Sequence, residues 1–417
     1  MFTNLSSAIF IVGMLVLPTF LGSVGGIGPL VVSLIWLIIS FFVRSVLHKL
    51  PLFQMVWLII TIIFFIQFAL INFTWNSIQY GINLFAFVLA LGVYWQFSAL
   101  KNRRICPYVT AAMIGLLIGI IWSFYQHQHL GVGRITAYIG GGSNLVARIA
   151  ILLAAYSMIL LLINVNRWSK LLGYVFAIGA TILIVIQSGS RGSLLALPLL
   201  LLLPIFFALP TSLLKSIPAW SAIFIFGLCV IGFIFLLDPN RLVMSTLDRL
   251  QSVAAGEGMD HSTELRYQMW QVAYQSFLEH PIIGTGWHSF VAVTKGTVLE
   301  SYAESGNYFN FHSDIANFAV AGGIIGLLLY FLLLFAPLIF WDTPKDHPYF
   351  RVRLYWAVTM PILYLVLGLT DMVMGFDYPT MFYAFTFAII WGLTEQEKGS
   401  DIKNGAHTLV DQTGRPS

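Results

Sequence analysis

The sequence predicts an all-α polytopic membrane protein with about twelve transmembrane helices and a partly helical cap on one side. Three observations predict it. Of 417 residues, 59% are hydrophobic and only 9% charged, against roughly 25% charged in soluble domains. The apolar residues come in unbroken runs near the ~20 residues that cross a bilayer as helix. Alternating strands of about ten residues, as in a membrane barrel, are not the pattern. Lys and Arg, finally, gather on one side of the spans.

Spans are expected at 5–22, 27–43, 52–72, 80–99, 108–125, 144–164, 171–187, 193–209, 219–237, 313–340, 354–370 and 379–394. The first lacks a basic flank and a cleavage site, so it reads as a retained helix and not as a signal peptide. The run at 313–340 exceeds what a bilayer needs, which predicts tilt or projection. Residues 1–237 then hold nine spans, 238–312 a large outer loop, 313–394 three spans, and 395–417 a polar tail.

Placing both termini in the cytoplasm puts fourteen of the 21 basic residues inside and seven outside. The bias supports that orientation. Six of the outer seven are Arg, and Lys295 is the exception. Cytoplasmic anchoring works with either residue, whereas bidentate phosphate recognition prefers the planar guanidinium. Arg148 lies just inside the sixth span, where a charge is expensive and requires a partner.

The outer loop is too short for an independent catalytic domain and reads as a cap. A helix is expected from Ser262 or Thr263 to about His280, with Glu264 in its first turn and Pro281, Gly284 and Gly286 ending it. Arg266, Trp270, Ala273 and Phe277 recur on one face.

Three polar motifs open apolar spans at the outer end. Ser188-Gly189-Ser190-Arg191-Gly192 precedes the eighth span, His312-Ser313-Asp314 the tenth, and Arg134 with Ser143-Asn144 the sixth. Helix N-termini carry partial positive charge and free N–H groups. Glycine-flanked turns let successive N–H groups form an anion nest. Arg191 stands at the helix end that disfavours a cation, and a bound anion accounts for that placement. A free imidazole titrates at about pH 6.5, so a residue such as His312 takes and returns a proton near neutrality. Asp314 is placed to orient it or to stabilise the first helical turn. The plainer alternatives are an interfacial turn with a snorkelling Arg and a cap residue among interfacial aromatics. Asp371 and Asp377 face the same side and are candidates for acceptor binding.

Other classes find no support. Cys106 and Cys229 sit in no metal-ligand spacing, and neither do His261, His280 and His288. No metal and no cofactor is expected. The net charge of +4 reads by membrane side and gives no nucleic-acid signal. No phosphate loop, dinucleotide fingerprint or nucleophile elbow occurs.

Several blocks together resemble the O-antigen ligase and polymerase superfamily of bacterial envelope glycosyltransferases. They are Gly133-Arg134 with Gly142-Ser143-Asn144, the Ser188–Gly192 turn, Arg266 with Trp270 and Ala273 followed by His280-Pro281 through Gly284 and Gly286, and His312-Ser313 followed by Ala321-Gly322-Gly323 and Gly326. The blocks extend from about residue 130 to 340. The first four spans match only as generic hydrophobic helices. The resemblance implies a transferase of the glycosyltransferase C class, in the bacterial inner membrane with its site facing the periplasm. It implies a glycan donor on undecaprenyl pyrophosphate, a diphosphate bound by Arg191 and Arg266, and a base at His312. Arg134, Asn144, Arg148, Ser190 and Asp314 are further expected substrate contacts.

The residues lead to a compatible mechanism. Negative charge develops on the departing diphosphate, and Arg groups with helix N-termini stabilise it without metal. One base and no evident nucleophilic carboxylate imply single displacement with inversion. Within the superfamily the expected reaction is ligation of O-antigen glycan to lipid A–core, favoured by the lack of an added C-terminal domain. A polymerase and a protein O-oligosaccharyltransferase are the alternatives. A transporter of a lipid-linked anion is less consistent, because its ionisable groups belong near the bilayer midplane. The expected partners are the lipid-linked donor, the acceptor and membrane lipid.

Overall fold

A computed structural model describes residues 2–42, 50–71, 81–100, 103–209, 261–287, 290–304 and 310–395. Among these residues there is no strand. The helices used below are α1 (Phe2–Phe10), α2 (Ile27–Phe42), α3 (Leu52–Ile71), α4 (Ala86–Ser98), α5 (Cys106–His129), α6 (Ser143–Ser157), α7 (Arg167–Ser188), α8 (Leu197–Ala208), α9 (His261–Glu279), α10 (Asp314–Ile339), α11 (Phe350–Gly368) and α12 (Asp377–Leu393). Eight described helices are long and apolar enough to cross a membrane, and Asn4–Val16 and Leu52–Gln67 are shorter apolar helices. The chain is a multi-pass membrane protein. The span expected at 219–237, the first part of the cap and the tail from 396 lie outside the described residues.

Prolines shape the bundle. The first span was expected to run unbroken over 5–22, but α1 passes into a π-helical turn at Ile11–Val16 and stops before Pro18–Leu21. Pro18 has no N–H to give the carbonyl four residues back. The Tyr378 hydroxyl donates to that Met14 carbonyl at 2.7 Å. Pro337 leaves the Leu333 carbonyl bare in the same way, and Trp57 Nε1 donates to it at 2.9 Å. An unsatisfied backbone group in lipid costs several kcal/mol, so these donors make the two prolines tolerable.

The core centres on α12, which is buried along nearly its whole length. Its rings interlock with neighbours, as in the edge-on contact of Trp57 with Phe387 at 5.6 Å. At Gly392 a Cβ would stand 2.9 Å from the Tyr94 carbonyl, so α4 and α12 approach too closely for a larger residue. Such contact replaces a hydrophobic driving force that lipid does not supply. Ile59, Ile62 and Ile66 on α3, and Val31, Leu34 and Ile38 on α2, are exposed and form part of the outer apolar surface.

Helix α10 is broken at Gly323, whose backbone leaves the helical region (φ 59°, ψ −148°). The freed groups are taken up by residues 281–286. Thr285 N donates to Val320 O at 2.8 Å, Gly286 N to Ala321 O at 3.0 Å, and Ile324 N to Pro281 O at 2.8 Å. Gly284 makes this possible, with φ +68° and an ideal Cβ position 2.5 Å from Gly322 N. The His-Pro…Gly-x-Gly block and the Ala-Gly-Gly block are therefore two halves of one joint. Gly284→Ala is expected to cost about 1–3 kcal/mol in backbone strain, before the clash is counted. The check is the thermal unfolding midpoint in detergent; an unchanged midpoint would mean the joint bears no load.

At the other end of the bundle, Arg103 donates to Glu395 O at 2.6 Å and Arg353 to Thr394 Oγ1 at 2.8 Å. Arg353, expected in a loop, lies in the first turn of α11 and is buried. Its cost is offset by bonds to Thr343 Oγ1 and Trp391 O at 3.1 and 3.3 Å.

Candidate active site

The site is built around Asp371, in the loop between α11 and α12. Its Oδ1 accepts from the Met372 amide at 2.8 Å and lies 2.9 Å from His312 Nδ1. Its Oδ2 accepts from Asn144 Nδ2 at 3.1 Å and from Arg148 Nη2. Asn144 and Arg148 are four residues apart on α6, so both side chains leave the same face. Arg148 also donates to the Met372 carbonyl at 2.9 Å. The partner that a buried Arg148 required is thus Asp371.

Burial pushes the Asp371 carboxyl up, but Arg148 and then His312 outweigh it and hold it well below the ordinary carboxylate range. A depressed group contributes stability above its unfolded pKa and loses it as pH falls through the folded value. Here that contribution is fully present above about pH 4 and fades only in stronger acid. In the neutral imidazole the ionised carboxylate accepts from Nδ1–H, which leaves the lone pair on Nε2.

The backbone holds His312 in an uncommon conformation. It is the one non-glycine residue with positive φ (48°) among the described residues. Two buried amide side chains fix it: Asn310 Oδ1 accepts from His312 N at 2.8 Å, and Asn317 Oδ1 from Phe311 N at 3.0 Å. Ser313 caps α10 by accepting from Ala316 N at 3.5 Å. The strain of a left-handed residue persists where surroundings over-determine it, which is common at functional sites.

The Ser188–Gly192 turn lies against the same loop. A Cβ on Gly192 would overlap the Thr370 hydroxyl, next to Asp371. Arg134 donates through Nε to Ser188 O at 2.9 Å and through Nη2 to Gly189 O at 3.2 Å. Ser190 is buried and pairs its hydroxyl with Ser193 Oγ at 2.8 Å. Arg191, half-buried, begins the short helix that follows.

Arg266 is carried by α9, which runs over His261–Glu279 much as expected. The buried face is Leu265, Met269, Val272, Ala273 and Ser276, while Trp270 is exposed. The apolar side chains of this face form a small core with Phe311, Ala316 and Val320, the residues around His312. Among the described residues Arg266 enters no ion pair.

Asp314 does a different job from the one expected. It is fully buried and accepts from Val373 N at 2.8 Å, from Met374 N at 3.0 Å and from the Tyr330 hydroxyl at 3.4 Å. It shapes the loop that presents Asp371 and does not orient His312. Asn144 and Arg148 are likewise engaged by Asp371, and Arg134 and Ser190 brace the turn. Among the described residues no three His, Cys, Asp or Glu side chains cluster as a metal site.

The sequence model of a family described as O-antigen ligase matches residues 175–331. Over that stretch, less than half of its length, the chain is similar to the O-antigen ligase family. The match supports membership of the O-antigen ligase and polymerase superfamily and an activity of that type. It contains Arg191, Arg266 and His312, whereas Arg134, Asn144, Arg148 and Asp371 lie outside it. No curated protein matches the chain.

Proposed function

We propose that this chain is a periplasmic-side glycosyltransferase of the bacterial inner membrane. It moves O-antigen glycan from undecaprenyl pyrophosphate to lipid A–core. The observation that carries the reading is the chain Arg148–Asp371–His312, which sets an imidazole as a base beside a turn bearing a guanidinium. His312 Nε2 takes the proton of the acceptor hydroxyl as that oxygen attacks the anomeric carbon. The bond from that carbon to the diphosphate oxygen breaks, and its electron pair leaves with undecaprenyl pyrophosphate. Arg191 and Arg266 bind the departing charge, aided by amides of the Ser188–Gly192 turn. One displacement inverts the anomeric centre.

The test is reconstitution in liposomes with undecaprenyl-pyrophosphate glycan and three separate acceptors: lipid A–core, a second lipid-linked repeat and a pilin-like protein. Product on lipid A–core alone is expected. Product on the lipid-linked repeat alone would make the chain a polymerase, and product on protein an oligosaccharyltransferase. EDTA is expected to leave the rate unchanged, because the guanidinium groups supply the positive charge. Inhibition reversed by one added metal would overturn that assignment.

A further inference from the structure

Helix α9 has three faces, not two. At 3.6 residues per turn, Leu265, Met269, Val272 and Ser276 form the face buried against α10. Gln271, Gln275 and Glu279 form an exposed polar face. Between them on the remaining side lie Tyr267, Trp270, Tyr274 and Leu278, all exposed, Tyr274 at 64%. A helix lying on water alone has no use for a stripe of aromatic and aliphatic side chains. A helix at a lipid–water boundary does, because Tyr and Trp favour that zone.

The level of the helix relative to the bilayer follows from α10. The continuous stretch after its break, 324–339, is about 24 Å long at 1.5 Å per residue, against ~30 Å of hydrocarbon. Measured from the far end at Ile339, the break at Gly323 therefore lies within a few ångströms of the opposite hydrocarbon boundary. The segment before the break therefore begins at the membrane boundary, and α9 packs on that segment. The stripe is also continuous with the surface that meets lipid. Ile282 and Ile283 follow α9 and are exposed, as are Ile324 and Ile325 of α10; Ile282 O accepts from Ile325 N at 3.3 Å, and Ile283 O from Gln67 Nε2 of α3 at 2.8 Å.

We propose that α9 is an interfacial helix. Its Tyr267–Trp270–Tyr274–Leu278 face rests among the headgroups and upper acyl chains of the leaflet at the site end. Arg266 sits at the seam between this face and the protein-facing one, with Trp270 one turn on. The bilayer thereby holds Arg266 at the depth of a lipid phosphate. The proposal goes beyond the transfer reaction, and its readout is depth rather than activity.

The test uses the full chain with Cys106 and Cys229 replaced by Ser. Tyr274→Cys and Leu278→Cys probe the stripe; Gln271→Cys and Gln275→Cys probe the polar face. Each is spin-labelled in liposomes of phosphatidylethanolamine and phosphatidylglycerol, and collision with dissolved oxygen is compared with collision with a water-soluble nickel chelate. The oxygen-to-nickel ratio is expected to be several-fold higher at the two stripe positions than at the two polar ones. Equal ratios at all four would put the stripe in water and overturn the proposal. Labels at 274 and 278 shielded from both reagents would mean protein covers the stripe, and would overturn it too. Nickel access that disappears only on adding glycan donor would assign the stripe to the glycan instead.

Discussion

His312→Ala is expected to lower transfer by about two to four orders of magnitude, the span a positioned general base contributes. Donor binding is expected to persist, since the diphosphate is assigned to Arg191 and Arg266. The substitution has one confounding effect. His312 sits at φ 48°, where alanine is strained and the half-helix after it is liable to shift. His312→Asn resolves this. Asparagine adopts the left-handed region readily, keeps a polar side chain, and has no lone pair basic enough to take the proton. Both variants are measured in liposomes as kcat and as binding of labelled donor. Loss of kcat in both with binding retained assigns the base to His312. Full turnover by the asparagine variant would remove it from the mechanism.

Why this residue was legible in the sequence, and its partner was not, has a physical basis. His312 announces itself locally, as a titratable residue directly before a Ser cap and a long apolar run. Asp371 has no such local signature. It follows α11 by three residues, 59 positions from His312 and 223 from Arg148. Its role is set by what the bundle brings to it. A signal did exist: a buried Arg148 requires an anion on the same side, and Asp371 and Asp377 were the acids on the facing loop. Local reading offers the acids to the acceptor and Arg148 to the substrate, whereas the fold pairs Asp371 with Arg148.

The fold divides in the same way. Apolar runs and their helical state follow from composition, because a spanning segment must satisfy its own backbone. Places where a helix stops or breaks depend on partners far away in sequence. The first helix ends early because Pro18 interrupts it and Tyr378 completes it. The break at Gly323 is tolerable only because residues 281–286 enter it. Read singly, Gly284 and Gly323 look like an ordinary helix end and an ordinary small-residue contact.

Asp371→Asn is expected to damage stability and activity together, and a second substitution is expected to separate them. The single change leaves Arg148 buried without its counter-charge. Breaking such a pair costs about 3–5 kcal/mol, read as a fall in the thermal midpoint in detergent. It also replaces the carboxylate that holds the proton on His312 Nδ1, so the imidazole loses its enforced tautomer. Adding Arg148→Met removes the orphaned charge and fills much of its volume. Replacing a buried ion pair by apolar groups is often neutral, so the double variant is expected to regain most of the midpoint. Its kcat is expected to remain depressed, with donor binding near normal, because nothing has restored the acceptor at His312 Nδ1. Recovery of kcat in step with the midpoint would instead make Asp371 a counterion for Arg148 and nothing more. Two charges 223 residues apart in sequence thus carry a stability term and an orientation term, and the pair of variants measures each alone.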